Sequence, residues 1–106
     1  MKNYKIVVYV PESHGETLRE AMANAGAGHI GNYSHCTFTV KGVGRFKPNA
    51  GANPAIGAIG KLEAVEEERI ETVCAEAELK DVLKSIRRVH PYEKPAIDVY
   101  PIEMFE

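Results

Sequence analysis

The chain has 106 residues, 44% of them hydrophobic, which is enough for one domain, residues 1–106, with a single core. Thirteen basic and fifteen acidic residues give a formal net charge of -2, so the chain lacks the strongly basic balance of a nucleic-acid-binding domain. Its two cysteines, Cys36 and Cys74, suit neither a disulfide framework nor a paired-cysteine metal motif. Since we find neither a signal peptide nor a long apolar run, we expect a cytoplasmic chain that does not bind membranes.

The beginning of the chain predicts a strand followed by a helix. Residues 4–10 are rich in β-branched and aromatic side chains, which is typical of a strand. Ser13 and Glu16 have the spacing of a capping box, so we expect the helix to begin there. The apolar stripe of this helix follows the i, i+3, i+4, i+7 pattern: Leu18, Ala21, Met22 and Ala25. Gly26 then predicts the left-handed residue that ends the helix.

The middle of the chain predicts a hairpin with a long connection. Residues 36–40 form the second short strand and residues 62–75, which contain several β-branched side chains, form the third. Residues 42–61 between them are rich in glycine and predict a loop of about 20 residues, a length that in a compact domain calls for a function.

A second helix and a fourth strand complete the pattern. Leu79, Val82, Leu83 and Ile86 repeat the helical spacing. His90 precedes Pro91, which disfavours helical angles and ends this helix, and residues 96–102 predict the last strand. The order β-α-β-β-α-β is typical of the α+β ferredoxin-like fold, a four-stranded antiparallel sheet with two helices on one face.

The long loop is the first candidate for a ligand site. From Ala21 to Leu62 the chain has no Asp or Glu, which leaves the basic residues in and beside the loop without local compensation. Arg45 and Lys47 would therefore favour an anion. Glycines would let backbone N–H groups turn toward the same anion.

The first strand also predicts self-association. Its side chains are apolar on both faces, whereas a sheet with one wet face should alternate apolar with polar. Two helices on one face cannot cover the other, so copies of the chain are expected to cover it. The third strand carries an acidic stretch that fits either a solvated strand or a charged subunit contact: Glu63, Glu66, Glu67, Glu68 and Glu71.

Several side chains could bind a transition metal, but none has the spacing of a known motif. The candidates of the alternative metal site are His35, His90 and Glu93. Residues 90–95 contain two prolines and fit a rigid turn, in which Tyr92 and Glu93 could also face a subunit cleft.

Three segments carry a family resemblance: GAGHIGNYSHCTF at 26–38, GVGRFKPNAGANPAIGAIGKLEAVEEERIE at 42–71 and HPYEKPAIDVYP at 90–101. They resemble the PII/CutA-like domain that is inserted in Nif-three-like proteins and also occurs as a stand-alone chain. The resemblance implies a ferredoxin-like fold, assembly as a homotrimer, and ligand sites in the clefts between subunits. In PII proteins the counterpart of loop 42–61 orders around effectors and partners. The dinuclear metal centre of full Nif-three-like proteins lies in lobes that flank this domain.

Together these observations predict an oligomeric sensor that binds a small anionic metabolite or nucleotide. The predicted ligand-binding residues are Asn32, Tyr33, Gly42, Gly44, Arg45, Lys47, Asn53, Gly57, Tyr92 and Glu93. We see no nucleophile with a base and an orienting group, so neither a catalytic residue nor a cofactor is expected, and the chain is predicted not to be an enzyme. The alternatives are a CutA-like metal binder and a module that docks on a partner protein, such as an enzyme, through loop 42–61.

Overall fold

The computed structural model describes residues 2–105 and contains four strands and two α-helices. In chain order they are β1 (Asn3–Pro11), α1 (Gly15–Asn24), β2 (Thr37–Phe46), β3 (Glu63–Ala75), α2 (Glu76–Val89) and β4 (Ile97–Ile102). All paired strands are antiparallel, and their order across the sheet is β2-β3-β1-β4. This arrangement confirms the predicted ferredoxin-like fold.

Both helices pack on the same face of the sheet. Ile6, Val8 and Val10 of β1 point to this face, where they meet the apolar sides of α1 and α2. The core is completed by buried side chains from these helices and from β3: Leu18, Met22, Ile70, Cys74, Val82 and Ile86. Within residues 2–105 neither helix is long and apolar enough to span a membrane.

Helix α1 ends as predicted but begins differently. Gly26 has φ +115°, and the N–H groups of Gly26 and Ala27 donate to the carbonyls of Ala23 and Met22, which is the Schellman arrangement. At the other end, a 3-10 turn over Glu12–His14 leads directly into the helix, which makes His14 the N-cap without a side-chain cap. The predicted capping box is therefore wrong, because the turn that leaves β1 already contains its serine.

Strand β2 is twice as long as predicted and shortens the connector to residues 47–62. Gly42, Gly44 and Arg45, which we expected in the loop, lie in β2. Their partners across the ladder are Glu67, Val65 and Ala64. Because β2 is an edge strand, pairing with β3 satisfies the backbone N–H and C=O groups on one of its sides, and this outweighs the low strand propensity of the two glycines.

The sheet face away from the helices carries both charged and apolar side chains. Val7 is only 1% exposed there, beneath an ion-pair group in which Lys5 and Arg69 lie 3.8 and 3.3 Å from the Glu71 carboxylate. The Arg69 guanidinium also lies over the Tyr9 ring, 5.9 Å from its centroid. Side chains of the chain itself therefore cover part of this face. Phe38, on the same face, remains 65% exposed.

Candidate functional site

A cavity of about 540 Å³ lies where the β2–β3 hairpin extends past β1. By strand alternation, its residues Tyr9, Gly44, Phe46 and Glu67 all belong to the sheet face away from the helices. The connector and the turn before β4 form the other walls. They contribute Lys47, Pro48, Asn49, Ala50, Ala52, Pro54, Ala55, Ile56, Tyr92, Glu93, Lys94 and Ala96.

A buried carboxylate forms the floor of this cavity. Glu67 is 8% exposed, and its Oε2 accepts a hydrogen bond of 2.9 Å from the Tyr92 hydroxyl. A Cβ at Gly44 would overlap the Glu67 carboxylate, so any larger residue at this position in β2 would displace that carboxylate. Burial and the adjacent Glu67 both raise the pKa of Tyr92, which keeps its phenol protonated as the donor.

His90 fixes the turn that carries Tyr92. Its Nε2 lies 2.7 Å from the Tyr9 carbonyl oxygen, and its Nδ1 accepts from the Tyr92 backbone N–H at 3.1 Å. A neutral imidazole with its proton on Nε2 satisfies both bonds. Burial lowers the pKa of His90 and so favours this neutral form, although the Tyr9 carbonyl and Glu67 act in the opposite direction. The Tyr92 ring packs between His90 and Phe46, with centroid distances of 5.2 and 5.7 Å.

The connector is tied to the same turn. The Asn53 backbone N–H donates to Glu93 Oε2 at 2.7 Å, and the Gly60 N–H donates to the Pro48 carbonyl at 2.7 Å. Gly57 has φ +95°, and a Cβ there would meet the Glu63 side chain. These contacts hold residues 47–62 beside the cavity.

The cavity lining separates positive from negative charge. Arg45, Lys47 and Lys94 are exposed cations, whereas Glu67 is a buried anion and Glu93 an exposed one. Among residues 2–105 no Lys, Arg or His approaches the Glu67 carboxylate within ion-pair distance. The lining can therefore contact an anion and a hydrogen-bond donor at different points.

Half of the predicted ligand-binding residues line the cavity: Gly44, Arg45, Lys47, Tyr92 and Glu93. Asn53 and Gly57 lie in the connector outside the lining, and Gly42 faces open space within β2. Asn32 and Tyr33 lie in a separate exposed turn, where Ile30 and Tyr33 form a bridge.

The three candidate metal ligands lie in different surroundings. His35 is exposed with φ +60°, and its Nε2 lies 3.7 Å from Glu20. His90 is occupied by the backbone of Tyr9 and Tyr92, and Glu93 by the connector. In the part of the chain that the structure describes, no three His, Cys, Asp or Glu side chains form a group that could bind a metal ion.

Sequence reasoning missed three residues that the strands contribute to the lining: Tyr9 of β1, Phe46 of β2 and Glu67 of β3. The acidic residues of β3 do not share one environment. Glu67 is buried at the cavity, and its neighbour Glu68 is buried with its carboxylate 2.7 Å from the Arg19 guanidinium. No local pattern of the sequence marks Glu67, because its place against Gly44 depends on the register between β2 and β3.

Structures of known proteins share this fold. A Bacillus cereus protein related to NIF3 matches 97% of this chain with a TM-score of 0.84 and 48% identity, over 26% of its own length. The divalent cation tolerance protein CutA of Archaeoglobus fulgidus matches all of this chain and 88% of its own, with a TM-score of 0.69 and 19% identity. Bacillus subtilis GlnK matches 96% of this chain and 86% of its own, with a TM-score of 0.57 and 20% identity.

Curated relatives of similar sequence are named after an enzyme. Proteins of Halalkalibacterium halodurans and Bacillus subtilis, each named GTP cyclohydrolase 1 type 2 homolog, are 54% and 52% identical over 99 residues. The match covers 93% of this chain and 27% and 26% of the relatives, so the chain spans about a quarter of their length. No protein-family model matches the chain.

These names contradict the prediction that the chain is not an enzyme. Each relative is named as the homologue of an enzyme, although the name describes a protein about four times as long as the matched segment. The resemblance found in the sequence is confirmed, because relatives and structures agree on it across nearly the whole chain. The chain has the PII/CutA-like fold and is similar, across nearly its whole length, to a segment of NIF3-related proteins.

Proposed function

We propose that this domain is a regulatory module that binds a small anionic metabolite, such as a nucleotide, in the cavity at the base of the hairpin. The observation that carries the proposal is a space of about 540 Å³ lined by Lys47 and Lys94, with Arg45 also in the lining although strand alternation turns its side chain toward the opposite face. This volume lies in the range of small-molecule sites, and the exposed cations attract an anion.

The connector supplies a second element of recognition. Gly51 and Gly57 have φ of +96° and +95°, so the backbone there reverses direction and can present its N–H groups to a bound anion. The hydrogen bond from Asn53 to Glu93 keeps the connector next to the cavity. Ligand binding would add contacts to this segment and order it further.

We also propose that the module self-associates as a homotrimer through the sheet face away from the helices. Phe38, Val40 and Tyr100 on this face are large, apolar or aromatic, and exposed. The cavity opens on the same face, so a neighbouring subunit would complete its wall. Light scattering that reports a single protomer at micromolar concentration would contradict this part of the proposal.

A thermal-shift panel of nucleotides and organic anions tests the ligand. We expect at least one member to raise the melting temperature, because a ligand that binds only the folded state stabilises it. Lys47→Ala should weaken the response, because Lys47 is an exposed cation of the connector that lines the cavity. Lys61→Ala is the matched control, since Lys61 belongs to the same connector but does not line the cavity. No response to any member, or equal responses of both variants, would refute the proposal.

The enzyme name of the relatives suggests what such a module would regulate. We propose that the bound anion controls an enzyme of the kind that the relatives are named after, either within one chain or as a partner. A change in that enzyme's rate on adding the anion, lost in Lys47→Ala, would support this role.

A second candidate function is docking of the connector on a partner protein. Ile59 and Leu62 are exposed apolar side chains at the end of the hairpin, where they are available for a contact. A pull-down with this domain as bait tests the contact. If Ile59→Ser and Leu62→Ser both leave the capture of the regulated enzyme unchanged, this candidate is eliminated.

A further inference from the structure

The Glu67 carboxylate is buried without a compensating cation. Its Oε2 has one neutral donor, the Tyr92 hydroxyl, and Oε1 has no hydrogen-bond donor among the described residues. Since no fully buried side-chain N or O within residues 2–105 lacks a partner, Oε1 keeps some solvent access, and Glu67 lines the cavity. A carboxylate in such a place gains from a cationic donor, because burial of an unpaired charge is costly.

The surroundings of Glu67 favour the same kind of group. Tyr9, Phe46 and Tyr92 line the cavity beside it, and aromatic rings attract cations through their π faces, as the Arg69 guanidinium over one face of Tyr9 already illustrates. The cations Arg45 and Lys47 also line the cavity, but neither lies within ion-pair distance of Glu67. The cavity therefore offers both an anion-binding part and a cation-binding part.

We propose that the ligand is an anion with an ammonium or similar N–H donor at its other end, and that this donor binds Glu67 Oε1. The inference rests on the proposed function, since it assigns a second contact to the same ligand. The inference distinguishes this site from a simple anion site, because the net positive charge of the exposed lining would repel an ammonium group that did not reach Glu67. A simple anion site would bind the amino compound no better than the same anion without the ammonium group.

Pairs of ω-aminoalkyl and alkyl phosphates of matched length test the inference. Titration calorimetry with 2-aminoethyl, 4-aminobutyl and 6-aminohexyl phosphate, each against the alkyl phosphate in which a methyl replaces the ammonium, varies the span between the two charges. At the best length we expect the amino member to bind about tenfold more tightly, as for a hydrogen bond to a charged group. Glu67→Gln should reduce this preference to less than about threefold.

Glu66→Gln is the matched control, because Glu66 is the exposed neighbour of Glu67 on β3 and does not line the cavity. It should leave the preference unchanged. The wild-type comparison is informative even if Glu67→Gln does not fold. Equal or weaker binding of every amino member would overturn the inference while leaving anion binding intact. Failure of both series and of the wider anion panel would overturn the proposed function and this inference with it.

Discussion

Removal of one hydroxyl group, in Tyr92→Phe, tests whether the cavity floor depends on the Glu67–Tyr92 hydrogen bond. The 2.9 Å bond joins a phenol to a carboxylate that is 8% exposed, and no second donor to that carboxylate is present among the described residues. Hydrogen bonds to charged groups contribute about 1.5–3 kcal/mol, and a buried acceptor left without its donor costs a similar amount. We therefore expect the free energy of unfolding to fall by about 2 kcal/mol.

Urea denaturation at fixed protein concentration measures this change, with Tyr33→Phe as the control. Tyr33 is 75% exposed and its hydroxyl has no partner in the described part of the chain, so its loss should change stability by less than about 0.5 kcal/mol. The pH dependence gives a second check. Because the pKa of Tyr92 is raised in the folded state, its contribution is present below the unfolded pKa near 10 and is lost as the pH rises further. Equal stability of the two variants at neutral pH would refute the assignment of Glu67 as a carboxylate that depends on Tyr92.

Three other perturbations have defined outcomes. Gly44→Ala should displace the Glu67 carboxylate and destabilise the domain by about 1–2 kcal/mol in urea denaturation, whereas Gly42→Ala, with open space around its Cβ, should not. Because burial lowers the pKa of His90, its contribution to stability is present above the unfolded pKa of about 6.5 and is lost as the pH falls through the folded value. The stability difference between pH 7.5 and 5.5 should therefore be smaller in His90→Gln, and an equal difference would argue against this role. Leu18→Ala should cost about 2–5 kcal/mol, as for a fully buried leucine, and a loss below 1 kcal/mol would contradict its place in the core.

The elements of the fold were predictable because each depends on local patterns. Residues 4–10 alternate between two apolar faces, and the structure places this segment at an interior position of the sheet, as β1. Gly26 was predictable as a helix end because a left-handed residue at this position favours glycine whatever surrounds it. The start of α1 was not predictable, because Ser13 belongs to a tight 3-10 turn and does not cap the helix.

The candidate site was predictable only in part. Charge and motif pointed to Arg45, Lys47 and Tyr92. Tyr9 and Glu67 were not identified, because the sequence of β1 indicated only apolar packing and that of β3 only an acidic stretch. Gly44 shows the difference most clearly. The glycine-rich composition of its segment suggested a flexible loop, but the structure shows a strand residue with a carboxylate lying against it.

The amino-acid sequence by itself determined the order of strands and helices, the helix-facing core and the family resemblance, since these follow from periodicity and from residues close together in the chain. The tertiary structure alone decided which glycines belong to a strand and which acidic side chain is buried at the floor of the cavity. Both depend on the register between β2 and β3, which brings Gly44 next to Glu67 across the sheet. Such a contact between distant residues is set by backbone hydrogen bonding and packing, and no local pattern records it.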